Sequence, residues 1–429
     1  MLNKDGVREL AYLVRVDAIT AMDADRLECA HVGGWKCVVG KGELKEGDVA
    51  VYFEIDSKLP EVAPFNEMEF LKSKHYAIKS QKIRGVVSQG LLMPVSAFGW
   101  EIKYGCFGWE PEGYAFFGDK VEGIEPEPYA VDKVNGKAYT VEGESRFFTK
   151  LLGVTYAISE DNARKAPSGD KYKAMAQRKP NVFKKKWARW MMKREWGRKV
   201  MFALFGRKRD KKNGWPAWVK KTDEERVQNL DYSALKGEKW FVTEKIDGTS
   251  TTFTLKKEWL GRRRFIVCSR NVAFVKEGQK CFYDTNVYTE MAEKYQMEKV
   301  LNGLLDSTKN LNFVTIQGET YGAGIQNRTY GLNGHDLKVF NVILGFKDGH
   351  VVRMNPEEGA QLMGTYGVPF VPVLEKNFEL PETCDDLLAY ADGKSVVDGG
   401  MREGCVFRSV DGQRSFKAVS NKYLLKYHC

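Results

Sequence analysis

At 429 residues, with 43% hydrophobic and 29% charged residues, the chain is long enough for two or three globular domains of ordinary composition. No apolar run approaches the roughly 20 residues that a membrane-spanning helix needs, and the opening Met-Leu-Asn-Lys-Asp-Gly carries no secretory signal, so a soluble intracellular protein without membrane association is expected. The net charge of +10 is unevenly spread: 164–212 holds 19 Lys/Arg against 3 Asp/Glu, which leaves the remainder at 10 − 16 = −6 and points to a polyanionic partner for the basic segment.

In chain order, the first hundred residues read as short strands separated by turns. Residues 12–19 alternate, 48–55 form a buried-strand run, and 82–94 place Ser-Gln-Gly between apolar residues; this spacing predicts a small barrel. Such a barrel serves either as a single-strand nucleic-acid surface or as packing alone. Between 100 and 215, aromatic residues are frequent and glycines interrupt. Phe183, Trp187, Trp190 and Met191 then fall at helical spacing among Lys184, Lys185, Lys186, Arg189 and Lys193. This basic amphipathic helix has three readings: an RNA-backbone contact, a membrane-surface or partner helix, and a solvated helix packed by its aromatics. From Trp215 onward the pattern is α+β, with strands expected at 240–246, 251–255, 264–269, 313–318, 337–346, 404–409 and 415–419. One helix is expected through Tyr288, Met291, Tyr295, Val300 and Leu304. The eight cysteines include no Cys-x-x-Cys pair, and Cys29, His31 and Cys37 lack a fourth metal ligand, so neither a zinc site nor a disulfide framework is expected.

The sharpest chemical signal is Thr243-Glu-Lys-Ile-Asp-Gly-Thr-Ser250 at the end of a predicted strand. Cys268-Ser-Arg-Asn271, Ile316-Gln-Gly-Glu-Thr-Tyr321, Lys338-Val-Phe-Asn-Val342, Arg402-Glu-Gly-Cys-Val-Phe407 and Arg414-Ser-Phe-Lys-Ala-Val-Ser-Asn-Lys422 follow. Six elements in this order resemble the motifs of the covalent lysyl-nucleotidyltransferases, the polynucleotide ligases and mRNA capping enzymes. Taken singly, Phe340 has a reading as core, and Glu319 and Glu403 as surface carboxylates beside glycine turns.

The resemblance implies a role for each residue. Lys245 is the nucleophile that attacks the α-phosphate of ATP. A lysine with a pKa near 10.4 is neutral in only about one molecule in a thousand near pH 7.4, so a lowering of about three units, roughly 4 kcal/mol, is expected from burial and positive neighbours. Asp247 and Glu403 match the carboxylates that hold Mg²⁺ or Mn²⁺ directly or through water. Glu319 resembles the ribose acceptor, Phe340 the aromatic stacked on the purine, and Glu244 a reader of the adenine edge. Arg270 resembles the arginine on ribose or phosphate, and Lys417 the lysine on the α-phosphate. Arg226 and Gln228, in Lys221-Thr-Asp-Glu-Glu-Arg-Val-Gln228, precede the nucleophile as a triphosphate-contacting arginine does. Ligases often carry Lys-x-Lys in the last motif; here Lys417 stands between Ser415 and Val419, with Lys422 as a candidate replacement. Ser250 stands where one class of RNA ligases has asparagine.

Only 12 residues follow Lys417. The expected arrangement is therefore an OB-like barrel at 1–110, a linker and basic segment, partly helical, at 111–214, and a nucleotidyltransferase domain of antiparallel sheets with helices at 215–429. That order resembles the ATP-dependent 3′-OH/5′-phosphate RNA ligase family with an N-terminal OB domain. It implies a monomer that seals RNA ends through lysyl–AMP and RNA-adenylate intermediates, using ATP and Mg²⁺ or Mn²⁺. The alternatives are a DNA-nick ligase of the same superfamily and a non-catalytic RNA-binding protein that keeps the fold.

Overall fold

The computed structural model describes residues 1–157, 215–274, 281, 283, 285–412 and 414–427. The amphipathic helix expected around 183–193, and the whole of the basic segment, lie outside the described residues.

Strand Val49–Phe53 is buried at every position and lies between Ala11–Arg15 and Leu91–Pro94, antiparallel to both. Its Val-Ala-Val-Tyr-Phe sequence suits a central strand covered on both faces. The run expected as one strand at 12–19 divides: Ala11–Arg15 stays in this sheet, and Ala18–Ala21 joins a second one with Leu27–Val32 and Trp35–Gly40. In the last of these strands buried and half-buried residues alternate, as in a sheet with one covered face. Leu27–Val32 and Trp35–Gly40 are joined by Gly33-Gly34, a two-residue hairpin loop in which Gly33 has φ +56°.

Residues 111–156, expected as the start of a partly helical linker, carry four short strands, Gly113–Gly118, Glu127–Asp132, Ala138–Tyr139 and Thr155–Tyr156, among turns and a single 3-10 turn at Glu144–Arg146. Trp100–Glu110 pairs with Gly113–Gly118 on one side and Glu127–Asp132 on the other, and Thr155–Tyr156 pairs with Ser57–Lys58. Ala130, Tyr139, Val141, Phe148 and Val154 share one core with Leu13, Val51, Phe53 and Trp100. The glycines that obscured this stretch sit within the strands: a Cβ at Gly105 or Gly108 would lie 2.5 or 2.4 Å from the ring of Phe116 or Phe117.

The C-terminal half is built from two sheets. One has the order Glu225–Arg226, Ser415–Val419, Gly404–Ser409, Lys239–Lys245, Val373–Glu379; the other runs Ala273–Phe274, Arg263–Cys268, Thr249–Lys257, Leu311–Gly322, His335–Phe346, Val351–Arg353. Every pairing is antiparallel except Glu225–Arg226 with Ser415–Val419. All seven expected strands are present. The one expected helix is two, Val287–Lys294 and Met297–Ser307, because the chain breaks at Gln296, which adopts φ +48°. Both pack on the six-stranded sheet through Val287, Tyr288, Met291, Leu301 and Leu304. Helix Pro356–Thr365 is fixed at its start by a capping box between Asn355 and Glu358. Helix Cys384–Ala391 covers the five-stranded sheet, with Leu387 and Leu388 against Trp240, Phe407 and Phe416.

Candidate active site

The site lies where the chain passes from one sheet to the other. Strand Lys239–Lys245 ends the five-stranded side, Ile246-Asp247-Gly248 crosses, and Thr249–Lys257 opens the six-stranded side. Gly248 is required at the crossing because a Cβ there would stand 2.3 Å from the carbonyl oxygen of Thr320 and 3.0 Å from Glu319 Cγ. The register does the rest. Lys245 pairs with Gly404, which brings Glu403 beside it; Ser250 pairs with Glu319; Val406 and Arg226 flank Lys417 on either side.

Lys245 Nζ donates to Glu403 Oε1 at 2.6 Å. Burial pulls its pKa down, but the carboxylates of Glu403, Glu319 and Asp247 outweigh burial and raise it above the ordinary lysine value. The lowered pKa expected from the sequence is therefore not a property of the bare protein; the lysine is held charged by the acidic groups around it. Glu319 shows the complementary effect: burial, with Glu403 and Asp247 adding to it against the opposing pull of Lys245, pushes its carboxyl up to about 8. Asp247 is held from two sides, its Oδ2 accepting from Tyr423 Oη at 2.7 Å and its N–H donating to Tyr330 Oη at 2.8 Å.

Glu244 is buried, with Oε2 accepting from the Val396 N–H at 2.8 Å and Oε1 without a hydrogen-bond partner. Phe340 is half-buried and packs with Ile246, Tyr321, Tyr330 and Val371 just behind the lysine. Lys417 Nζ donates to Asp223 Oδ1 at 3.1 Å, and Arg270 bonds the other oxygen of the same carboxylate. Burial first, then Arg8, Arg226 and Lys245, bring Lys417 down to about 7 against the opposing pull of Asp223. Arg226 is buried with Nε and Nη1 unpartnered, while its Nη2 reaches Asp56 of the N-terminal half at 3.4 Å. Gln228 is buried with neither amide atom bonded.

Lys422 is the one candidate turned elsewhere: its side chain is 68% exposed and pairs with Asp392 at 3.6 Å. The further cation near Lys417 is Arg8, which bonds Asp223 at 3.2 Å and was not anticipated because nothing in its sequence neighbourhood marks it. Tyr330 and Tyr423, which hold Asp247, were also missed. Asp223 lies three residues before Arg226 in the same Lys221–Gln228 stretch.

Among the described residues no group of three or more His, Cys, Asp and Glu is disposed to enclose a metal, and the seven described cysteines are free. The buried and unpartnered Oε2 of Glu403 nevertheless offers an acceptor beside Lys245, which fits a cation held by one or two carboxylates with water and phosphate completing its shell.

Residues 10–95 match the model of an OB-fold domain, and residues 238–428 match the model of the RNA ligase family. A search of curated proteins returned no match. Among solved structures, a mutant of Naegleria gruberi RNA ligase with ATP and Mn is 27% identical, at a TM-score of 0.65 over 98% of this chain and 100% of that one. The same enzyme with PPi matches at 27% identity and TM-score 0.65, over 98% and 99% of the two chains. A further mutant of it with AMP and Mn matches at 27% identity and TM-score 0.64, again over 98% and 99%. The chain thus has an OB-fold domain ahead of an RNA ligase domain, and its likeness to an RNA ligase runs along almost its whole length.

Proposed function

We propose that this protein joins RNA 3′-OH and 5′-phosphate ends with ATP, through AMP carried on Lys245. The observation that supports this most directly is the convergence of Lys245, Glu403, Asp247, Glu319 and Lys417 at the crossing between the two sheets. In the first step Lys245 Nζ attacks the α-phosphorus of ATP, a P–N bond forms, and pyrophosphate leaves with the electrons of the broken P–O bond. AMP then passes to the 5′-phosphate of an RNA end, freeing the lysine. A 3′-OH attacks that phosphate and AMP departs. Lys417 would hold the α-phosphate, Arg270 the ribose or phosphates, Arg226 the triphosphate, Glu319 the ribose, Phe340 the purine face and Glu244 the adenine edge.

Asp247 and Glu403 would hold Mg²⁺ or Mn²⁺, which when bound supplies positive charge against both the phosphates and these carboxylates. The geometry gives that charge a specific consequence. The carboxylates now keep Lys245 protonated, so neutralising them removes the interaction that holds the proton on the nucleophile.

The test is incubation with α-labelled ATP and Mg²⁺ or Mn²⁺, followed by a search for a covalent protein–AMP adduct. The wild-type chain is expected to label, and Lys245→Ala to lose at least about a thousandfold, because no second amine occupies the nucleophile position. Normal labelling of the alanine variant would end the assignment. Offering nicked DNA beside RNA ends to the labelled enzyme separates the DNA-nick alternative.

A further inference from the structure

Asp223 has no part in the steps above, yet three cations from three separate elements meet on it. Its Oδ1 accepts from Lys417 Nζ at 3.1 Å and from Arg8 Nη2 at 3.4 Å; its Oδ2 accepts from Arg8 Nε at 3.2 Å and also from Arg270. Lys417 comes from the middle of strand Ser415–Val419, Arg270 from the turn after strand Arg263–Cys268, and Arg8 from the N-terminal half. Asp223 itself is 14% exposed. Tyr156, also from the N-terminal half, stacks on the Arg270 guanidinium at 5.4 Å and bonds it through its hydroxyl at 3.4 Å. A carboxylate gripped on both oxygens by two guanidiniums and an ammonium has the surroundings of a bound phosphate.

We propose that Asp223 is a positioning residue for nucleotide binding: it gathers Lys417 and Arg270 at one corner, keeps Lys417 charged, and yields both cations to the phosphates of the nucleotide. This rests on the reading of Lys417 and Arg270 as phosphate ligands. Without an anion at this point, the cations would repel one another and the buried lysine would give up its proton. The groups that bear on Lys417 are Arg8, Arg226, Lys245 and Asp223, and among them Asp223 is the one that favours the proton. The same three cations hold the Asp223 carboxyl far below its ordinary range, against burial that would raise it, so it stays charged throughout the accessible pH range.

The sign of the effect follows. Phosphate binding needs the charged lysine, so affinity is full below the pKa of Lys417 and falls as pH rises through it. Removing Asp223 lowers that pKa and moves the fall to lower pH, by a factor of about ten in affinity for each unit. The measurement is calorimetric binding of ATP with Mg²⁺ to the Lys245→Ala protein between pH 6 and pH 9, where no adduct forms and the nucleophile cannot contribute. Adding Asp223→Asn is expected to leave affinity within about twofold at pH 6, or tighter since a negative charge has gone, and to weaken it about tenfold at pH 8. Asp223→Glu, which keeps the charge, is expected to retain the parent's pH dependence. Parallel curves for the parent and Asp223→Asn would overturn the proposal alone. Absence of ATP binding by the parent at every pH would overturn the proposed function with it. Should Asp223→Asn fail to fold, Arg8→Gln provides the opposite shift. It removes a cation facing Lys417 and keeps the carboxylate, so the fall moves to higher pH; an unmoved fall counts against the proposal equally.

Discussion

Glu244 has one oxygen committed and one open. Oε2 is occupied by the Val396 N–H, which leaves Oε1 as a buried acceptor two residues along the chain from Ile246, which shares a cluster with Phe340. An acceptor there suits the amino group of adenine and opposes the carbonyl of guanine. Hydrogen bonds to charged groups contribute roughly 1.5–3 kcal/mol, so Glu244→Gln is expected to reduce labelling by ATP about tenfold or more and to narrow the ATP:GTP ratio by a similar factor. Unchanged preference for ATP in a competition assay would remove Glu244 from its role. At this scale the sequence was most informative about residues that stand in motifs: Lys245, Glu403 and Lys417 come from three separate motifs and lie close together in the structure. Asp223, Tyr330, Tyr423 and Arg8 act only through what they touch, and those partners come from distant parts of the chain. No local pattern announces a tyrosine that will bond Asp247 from 176 residues away.

The hairpin Leu27–Val32 to Trp35–Gly40 shows what an element contributes beyond its own sheet. Its Gly33-Gly34 loop rests on the backbone of Gln228, with the Gly34 N–H donating to the Gln228 carbonyl at 2.9 Å. A Cβ at Gly34 would stand 2.7 Å from Gln228 Cα, where no flexible side chain can move aside. Gly34→Ala is therefore expected to destabilise by about 1–3 kcal/mol and to lower adenylylation, since Arg226 and Gln228 shift together. Gly364, exposed in helix Pro356–Thr365 with nothing within 4 Å of its would-be Cβ, is the contrast; Gly364→Ala is expected to be neutral or to stabilise by up to about 1 kcal/mol. Thermal melts of both variants check the pair, and equal melting points would refute the contact argument. The C-terminal strands were legible because β-branched and aromatic runs end at clear turns. Gln296, which divides the helix in two, carries no such mark. A glutamine in a left-handed conformation follows from how Tyr288 and Leu301 must both reach one core.

At the scale of the whole molecule, the order of barrel and catalytic domain was readable, and so was the concentration of charge in 164–212. What joins the halves was not. Glu54, buried in the N-terminal half, receives Arg8 Nη1 at 3.0 Å, Tyr12 Oη at 3.0 Å, Asn229 Nδ2 at 2.9 Å and the Met1 amine. Asn229 in turn accepts from Trp35 Nε1 and donates to Glu225, so one carboxylate anchors contacts that reach from the barrel to the strand beside Lys417. Burial alone would raise the pKa of Glu54; the Met1 amine, Arg8 and Arg226 outweigh it and bring it down to about 2 from 4.5. A depressed carboxyl stabilises the folded state above the unfolded pKa, and that contribution is lost as pH falls through the folded value. A shift of this size corresponds to about 3 kcal/mol, present in full above roughly pH 4.5 and lost towards pH 2. Glu54→Gln is accordingly expected to cost about 3 kcal/mol at pH 7, with the gap to wild type closing between pH 4.5 and 2. Urea denaturation of both proteins across that range decides it. A gap that stays constant with pH would show that Glu54 acts through its shape and hydrogen bonds, and the electrostatic tie between the halves would have to be sought in Arg8 and Asp223 instead.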